Sequence, residues 1–224
     1  MQKLGMFVHG LNVNDSEWRH IVWGKPPHLL GRVPRALLLL NEEYPHAEKI
    51  LFGSGASERD GLKEGAYIIQ YALSNWHALR EFEAFKKHSR FEMWRFKRRI
   101  ERIAEPETAS YNTYSELEHG LPRLYALGIR RVVLVTESTH ISRAEAHGFE
   151  ILKKLGLTGK MWLVGEHSDS IPLKISPEEV VVFEPRADGQ NQIVPNLRRI
   201  FRVSGDKRSE FNEKFANILT EVGA

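Results

Sequence analysis

Residues 136–143 (TESTHISR) combine one side chain that can transfer a proton with another that can bind an anion. His140 can take up and release a proton near neutral pH, because imidazole titrates in that range. Arg143 follows three residues later and can bind a phosphate or a carboxylate through two parallel hydrogen bonds. If a helix begins early in this stretch, the two residues share a face and can serve one ligand. The pair therefore predicts an anion site with proton transfer, although a histidine beside a core strand often has only a structural role.

Three further stretches place small or polar residues where a predicted strand ends or a predicted helix begins, namely residues 9–12, 53–57 and 110–113. Glycine in such a turn lets backbone N–H groups approach an anion at the start of the next helix. The glycine-rich stretch GSGAS lacks the lysine of a P-loop, so it can equally be a plain tight turn. Thr113 and Glu116 match a capping box, which would give both a structural role.

We predict that these stretches converge on one site. His140 is the predicted general acid or base, and Asp60 or Glu137 is predicted to orient it or to hold a divalent ion. Two carboxylates without a recognised spacing support a metal only weakly, so the cofactor stays open and no metal ligand is assigned. The predicted ligand-binding residues are Gly10, Asn12, Arg32, Ser54, Gly55, Asn112, Thr113, Thr136 and Arg143.

Short apolar runs alternate with longer amphipathic segments along the chain. Strands are predicted over residues 4–9, 48–52, 131–135, 160–164 and 179–183. Helices are predicted over residues 32–44, 58–73, 113–127, 142–155 and 206–222, with Gly128 and Gly156 ending two of them. This alternation indicates right-handed βαβ units, and the continuously apolar strands are typical of a sheet covered on both faces. The predicted fold is α/β, a Rossmann-like, doubly wound and mainly parallel sheet, in which ligands bind beyond the carboxyl ends of the strands.

Residues 75–104 interrupt this alternation and are predicted to form a basic helical insertion. The segment carries nine Lys or Arg against four Glu, a surplus larger than the net charge of +3 for the whole chain. Trp76, Phe82, Met93, Phe96 and Ile100 recur at helical spacing, which favours amphipathic helices packed on the α/β body. The basic residues can then form a solvated face, a lid over an acidic ligand, or a surface for nucleic acid.

Composition restricts the class of protein. The 224 residues, with 42% hydrophobic and 27% charged residues, fit a single α/β domain over residues 1–224. There is no cysteine, which excludes disulfides, thiolate metal sites and a cysteine nucleophile. The N-terminus lacks the apolar segment of a signal peptide and no run is long enough to span a membrane, so we expect a cytoplasmic protein.

The motifs, taken in order, resemble those of the SanA/ElyC/YdcF family of bacterial α/β domains. The resemblance covers about residues 4–155, and its most specific part is Thr136, His140, Arg143 and Ala144. The other matching positions are Gly10, Arg32 before Ala36 and Leu37, Ser54 with Gly55 at a strand end, Asp60 or Glu64, and Asn112 with Thr113.

The chain also departs from the family pattern. Ser115 and Glu116 stand where members usually have Glu-Asn, Glu137 replaces a small residue, and Ile141 replaces a methionine. The membrane anchor of SanA-like and ElyC-like members has no counterpart, so the soluble YdcF-like branch is nearer. The resemblance implies a Rossmann-like fold with a ligand cleft, and it links some members to envelope and lipid-carrier metabolism.

Three functions are compatible with these features. The leading hypothesis is a small-molecule enzyme, a hydrolase or a transferase, that binds a phosphate-bearing or nucleotide-like ligand at the carboxyl edge of the sheet. The second is a non-catalytic binding or regulatory module that uses the same crevice. The third is a nucleic-acid-binding protein whose inserted segment stacks bases and contacts phosphates. An anionic small molecule is the favoured partner, and the oligomeric state is not predicted.

Overall fold

The computed structural model describes residues 2–173. All of these residues lie in one compact unit of the chain. The strand predicted over residues 179–183 and the helix predicted over residues 206–222 lie outside the described residues. The prediction of one domain over residues 1–224 therefore stays a prediction.

The described residues alternate strands with helices. The strands, in chain order, are β1 (Lys3–Val8), β2 (Gly24–Lys25), β3 (Leu29–Leu30), β4 (Lys49–Phe52), β5 (Glu58–Arg59), β6 (Leu62–Lys63), β7 (Ala104–Pro106), β8 (Ile129–Glu137) and β9 (Trp162–Ser168). The α-helices are α1 (Arg32–Glu42), α2 (Glu64–Ser74), α3 (Glu83–Lys86), α4 (Arg90–Ile103), α5 (Thr113–Ala126) and α6 (Ser138–Lys154). A π-helical turn spans Arg19–Trp23 and a 3-10 helix spans Trp76–Glu81.

Five strands form one parallel sheet in the order β7-β4-β1-β8-β9, and β2-β3 and β5-β6 are two short antiparallel ribbons. The chain starts in the middle of the sheet, winds to one edge at β7, and then returns to wind to the other edge at β9. This order confirms the predicted Rossmann-like, doubly wound sheet. It also creates a switch point between β1 and β8, where the winding reverses.

Alternate residues of the central strand β1 bury into two different cores. Met6 and Val8 belong to the core that also receives side chains of α1, α2 and α4. Phe7 belongs to the opposite core, which receives side chains of α5 and α6. Because successive strand residues point to opposite faces, a sheet covered on both faces requires apolar residues at consecutive positions. This requirement explains the continuously apolar strands of the sequence.

Glycines follow the ends of α5 and α6, the two helices that pack in the core with Phe7. Gly128 has a φ of 82° and Gly156 a φ of 66°, the left-handed conformation that commonly closes a helix. α6 begins at Ser138, four residues before its predicted start, so that His140 lies in its first turn. The strand predicted over residues 160–164 is β9 and extends further, from Trp162 to Ser168.

The helix predicted over residues 58–73 is wrong in its first turn and a half. Residues 58–63 form the β5-β6 ribbon, and its turn holds Asp60 at a φ of 53° and Gly61 at a φ of 75°. Both angles are left-handed and unsuitable for a right-handed helix, and Asp-Gly favours a two-residue hairpin turn. The helix α2 therefore starts at Glu64, which brings that carboxyl group to the carboxyl edge of the sheet.

The predicted insertion forms helices that pack into the core that contains Met6 and Val8. Trp76, Phe82, Met93, Phe96 and Ile100 are all buried, as their spacing predicted. The Ser89 hydroxyl caps α4 by accepting from the Glu92 N–H at 3.2 Å, while the Glu92 carboxylate accepts from the Ser89 N–H at 2.7 Å. The segment ends in β7, a strand at the sheet edge that the sequence analysis did not predict. Among residues 2–173, no helix combines the length and the apolar composition needed to cross a membrane.

Candidate functional site

Polar side chains cluster at the switch point between β1 and β8. His9 follows β1 directly, and its N–H donates to the Val135 carbonyl at 3.0 Å, so the two strands stay paired up to the cluster. Thr136 and Glu137 are the last residues of β8. All of these side chains are buried. Ligands of doubly wound sheets bind at such a switch point, which makes the cluster the candidate functional site.

Arg32, the first residue of α1, brings a positive charge into the cluster although it is only 2% exposed. Its Nε donates to Glu137 Oε2 at 2.6 Å, and its Nη1 donates to the His9 carbonyl at 3.0 Å and also to the Gly10 carbonyl. Burial alone would raise the pKa of Glu137, but the Arg32 charge and the hydrogen bonds to the carboxylate together lower that pKa. A ligand would have to compete with Glu137 and two carbonyls for the Arg32 donors.

His9 and Glu116 form a second buried pair. His9 Nδ1 lies 2.5 Å from Glu116 Oε2, and the Gly10 N–H donates to Glu116 Oε1 at 3.2 Å. A carboxylate on one ring nitrogen fixes the orientation of the imidazole. The other nitrogen, Nε2, is buried and has no hydrogen-bond partner among residues 2–173. The His9 and His140 ring centroids are 5.4 Å apart, so two imidazoles lie side by side in the cluster.

His140 is hydrogen-bonded at both ring nitrogens. Thr136 donates its hydroxyl proton to Glu137 Oε2 at 2.9 Å, so it accepts from His140 Nδ1, which lies 3.0 Å away. This leaves His140 Nε2 as the acceptor of the Thr113 hydroxyl at 2.9 Å. Burial, followed by the charges of His9 and Arg32, lowers the pKa of His140 well below 6.5. His140 is therefore neutral at physiological pH and offers its Nε2 lone pair to Thr113.

Glu64 is a third buried acid in the cluster. Its Oε2 accepts from the Ser57 hydroxyl at 2.5 Å, and Ser54 also hydrogen-bonds to it. Burial raises the pKa of Glu64, and the nearby Glu116 charge adds to that rise. Glu64 can approach the backbone of Gly10 closely because glycine has no side chain. A Cβ at this position would lie 1.7 Å from Glu64 Oε1. At Gly53 a Cβ would lie 2.6 Å from Glu116 Oε1, so both glycines make room for carboxylates.

Arg143 is the exposed member of the group. The charges of Glu137, Arg32 and Glu116 all act on it, which places its guanidinium near the cluster. No hydrogen bond or ion pair to a residue of the described part of the chain occupies its donors. α6 has no side-chain hydrogen bond at its N-cap, Glu137, so the N–H groups of its first turn have no capping side chain. A cation and a helix N-terminus beside one another are suited to an anion.

The structure brings together most of the predicted site residues. Those that contact one another in the cluster or touch it are Gly10, Arg32, Ser54, Thr113, Thr136, Glu137 and His140, with Arg143 close by. These contacts place the residues and leave their roles as predictions.

Four predicted residues have other surroundings. Asp60 is exposed in the β5-β6 turn, and Glu64 supplies the buried acid of this segment instead. Asn12 is exposed, and its Oδ1 accepts from the Asn14 N–H at 2.9 Å in a local turn. Gly55 packs against backbone, since a Cβ there would lie 2.0 Å from the Thr108 carbonyl oxygen.

Asn112, the fourth of these residues, caps α5, a role that the sequence analysis predicted for Thr113 and Glu116. Its side chain is the N-cap of α5 and accepts from the Ser115 N–H at 2.8 Å, while Ser115 Oγ accepts from the Asn112 N–H at 3.1 Å. The capping box predicted for Thr113 and Glu116 is therefore wrong by one residue. The shift turns Glu116 towards His9 and Thr113 towards His140.

Three members of the cluster, His9, Glu116 and Glu64, are not among the predicted site residues. His9 lies at a strand end beside the predicted Gly10, a position that could have identified it. Glu64 was noted only as an alternative to Asp60, and Glu116 was given to the capping box. Within the described residues, no group of three or more His, Asp or Glu side chains is arranged to hold a metal ion.

A surface depression lies away from this cluster. It has a volume of about 500 Å³ and lies along α4, between that helix and the end of α1. Its lining includes Asn41, Pro45, Trp94, Arg95, Arg98 and Arg102. We place the candidate site at the switch point, because the arginines Arg95, Arg98 and Arg102 of the depression are exposed to solvent, whereas buried, interacting ionisable groups are typical of functional sites.

In comparisons with known proteins, no family model, no curated protein and no solved structure matches the chain.

Proposed function

We propose that the protein is an enzyme that acts on a phosphate-bearing small molecule, as a hydrolase or a transferase, at the switch point of the sheet. The observation that carries the proposal is the pair of buried histidines, 5.4 Å apart, beside an arginine whose donors are unused in the described part of the chain. One imidazole can transfer a proton while the guanidinium and the start of α6 hold the anion.

The hydrogen bonds of the cluster support a catalytic role over simple ligand recognition. Both histidines have a carboxylate behind one ring nitrogen: Glu116 directly behind His9, and Glu137 behind His140 through Thr136. Such a carboxylate fixes the imidazole and stabilises it when it takes up a proton. A recognition site has no need for two imidazoles held in this way. The resemblance to the SanA/ElyC/YdcF family and the expected cytoplasmic location remain parts of this proposal.

Inorganic phosphate and a panel of phosphate esters test the proposal directly. We expect phosphate to bind in calorimetry, and Arg143→Lys to weaken it several-fold, because lysine cannot reproduce the planar two-pronged contact. Arg123→Lys is the matched control, since Arg123 lies in the last turn of α5, at the other end of the helix from Thr113. If Arg143→Lys and Arg123→Lys bind phosphate equally well, Arg143 is not part of the site.

Turnover separates an enzyme from a binding module. In an enzyme, His140→Gln should abolish ester hydrolysis while phosphate binding is largely kept. In a non-catalytic module, the same change should alter affinity alone, and the wild-type protein should hydrolyse no ester in the panel.

A second candidate function, binding of single-stranded nucleic acid, is favoured by one feature of α4. Phe91 and Trp94 are 64% and 58% exposed, and their rings stack with centroids 5.9 Å apart. Arg95 lies over the Phe91 ring at 6.0 Å. Exposed aromatic rings beside arginines can stack bases and contact phosphates. Salt-sensitive binding of oligo-dT, lost in Trp94→Ala and kept in the exposed-tryptophan control Trp162→Ala, would support it.

A further inference from the structure

The hydroxyl of Thr113 has surroundings that differ from those of other hydroxyl groups at the carboxyl edge. It lies 2.9 Å from His140 Nε2, and Thr113 as a residue is half-buried. Ser54 Oγ accepts from the Ala56 N–H and also hydrogen-bonds to Glu64, and Ser110 Oγ donates to Glu107, so a carboxylate and not a histidine holds each of these two hydroxyls. Ser115 belongs to the α5 capping box. Within residues 2–173, Thr113 is thus the half-buried residue of this edge whose hydroxyl has a histidine as its acceptor.

The groups behind His140 continue the same chain of hydrogen bonds. Nδ1 donates to Thr136 at 3.0 Å, and Thr136 donates to Glu137 at 2.9 Å. Glu137 Oε1 itself lies 4.0 Å from Nδ1, close enough to stabilise a positive charge on the ring. A hydroxyl, a neutral imidazole and a buried carboxylate in this order are the components of an activated nucleophile, with one threonine inserted before the acid.

We propose that Thr113 is the nucleophile of this site and that the reaction proceeds through a phosphoryl-threonine intermediate. This inference rests on the proposed function for its substrate class, a phosphate ester, and on the hydrogen-bond chain for its chemistry. It deepens the proposal from proton transfer alone to covalent catalysis in two steps.

In the first step, an electron pair of Thr113 Oγ1 forms the bond to phosphorus while the bond from phosphorus to the ester oxygen breaks. The Thr113 proton moves to His140 Nε2 and then to the departing oxygen, which leaves as an alcohol. In the second step, a water molecule, or an acceptor alcohol in a transferase, gives its proton to His140 and attacks phosphorus. The bond from Oγ1 to phosphorus breaks, and His140 returns the proton to Thr113.

A fluorophosphonate tests the nucleophile without knowledge of the natural substrate. Attack on its phosphorus expels fluoride and leaves a stable phosphonyl ester, which adds a known mass to the protein. We expect stoichiometric labelling of the wild-type chain, located at Thr113 by peptide mass spectrometry. Thr113→Ser should keep the label and Thr113→Val should lose it. His140→Gln should slow labelling by about 100-fold or more, the usual contribution of a positioned base.

Thr108→Val is the control for simple exposure, because Thr108 is an exposed threonine on the loop that leads into α5. Its labelling should equal that of the wild type. A label spread over several exposed hydroxyls, or a Thr113→Val variant that keeps the label and the turnover, would overturn the inference. Mapping the label in the unmodified chain keeps the test decisive even if Thr113→Val folds poorly.

The two proposals can fail separately. If phosphate binds and esters are hydrolysed while Thr113 stays unlabelled and dispensable, the function stands and the covalent step is wrong. If Thr113 is labelled in a His140-dependent manner but neither phosphate nor any phosphate ester is bound or hydrolysed, the nucleophile stands and the substrate class is wrong.

Discussion

Replacement of Arg32 by methionine should be among the most destabilising single changes in the described part of the chain. Methionine keeps much of the length of the side chain but removes the charge, so Glu137 remains buried without its partner. Breaking a buried ion pair from one side costs about 3–5 kcal/mol. Two carbonyls, those of His9 and Gly10, also lose their donor. Water can reach the carbonyl of the half-buried Gly10, so only the His9 carbonyl adds a cost, of about 1 kcal/mol. With about 4 kcal/mol for the broken ion pair, we expect a total loss of about 5 kcal/mol.

Urea denaturation of four proteins measures this coupling: the wild type, Arg32→Met, Glu137→Gln and the double variant. The double variant no longer contains a buried unpaired charge, so it should be more stable than the sum of the single losses predicts. We expect a coupling free energy of about 2 kcal/mol. Arg32→Lys provides a milder change, because lysine keeps the charge but cannot reach three acceptors in one plane.

Additive losses would refute this reasoning, and so would an Arg32→Met variant that loses less than about 1 kcal/mol, as at an exposed ion pair. Either result would mean that the cluster admits water or that Glu137 is uncharged when folded.

Three further predictions test other parts of the cluster. Because burial lowers the pKa of His140 below 6.5, the unfolded chain binds a proton at this residue before the folded chain does, and the free energy of unfolding should fall as the pH drops below about 6.5. His140→Gln should flatten that decline in urea denaturation, and an unchanged slope would contradict the assignment. Gly10→Ala should lower the free energy of unfolding by about 2 kcal/mol or more, because its Cβ would lie 2.4 Å from a backbone carbonyl oxygen. In the control Gly61→Ala the new Cβ meets no atom within 4 Å, so the cost should be only about 1 kcal/mol, from the left-handed backbone. Equal losses in thermal denaturation would contradict the predicted clash at Gly10. Asn112→Ala should cost about 1 kcal/mol as the loss of an N-cap, and Thr113→Ser should stay within about 0.5 kcal/mol; the reverse order would restore Thr113 as the cap.

The sequence predicted the sheet because its signals are local. Continuous, β-branched apolar runs such as the one before Thr136 are typical of strands covered on both faces, and Gly128 and Gly156 mark the helix ends by their left-handed backbone. The β5-β6 ribbon has an equally local signal, the Asp60-Gly61 turn. The prediction of a helix over residues 58–73 did not take this turn into account. β7 gave no such signal, because three residues ending in proline at a sheet edge form no apolar run.

The site was harder to predict because its partners are distant in sequence. The position of His140 at a strand end can be seen in the sequence, but its contact with Thr113 cannot. The capping motif fits two registers one residue apart, and local spacing cannot choose between them. The choice is made by His9, which binds Glu116 across 107 positions of the chain. Tertiary contacts of this kind assign the roles, and a single sequence does not contain them.

The two buried pairs also affect how the sheet assembles. Arg32 and Glu137 lie 105 positions apart, and each pair joins the first half of the winding to the second. A folding chain that has formed only one half therefore holds an apolar-flanked charge with no partner, a state that is costly and short-lived. A sheet in which either half is missing is therefore less stable, and the two halves should form and melt together as one cooperative unit. The polar cluster therefore forms completely only when both halves of the sheet are in place.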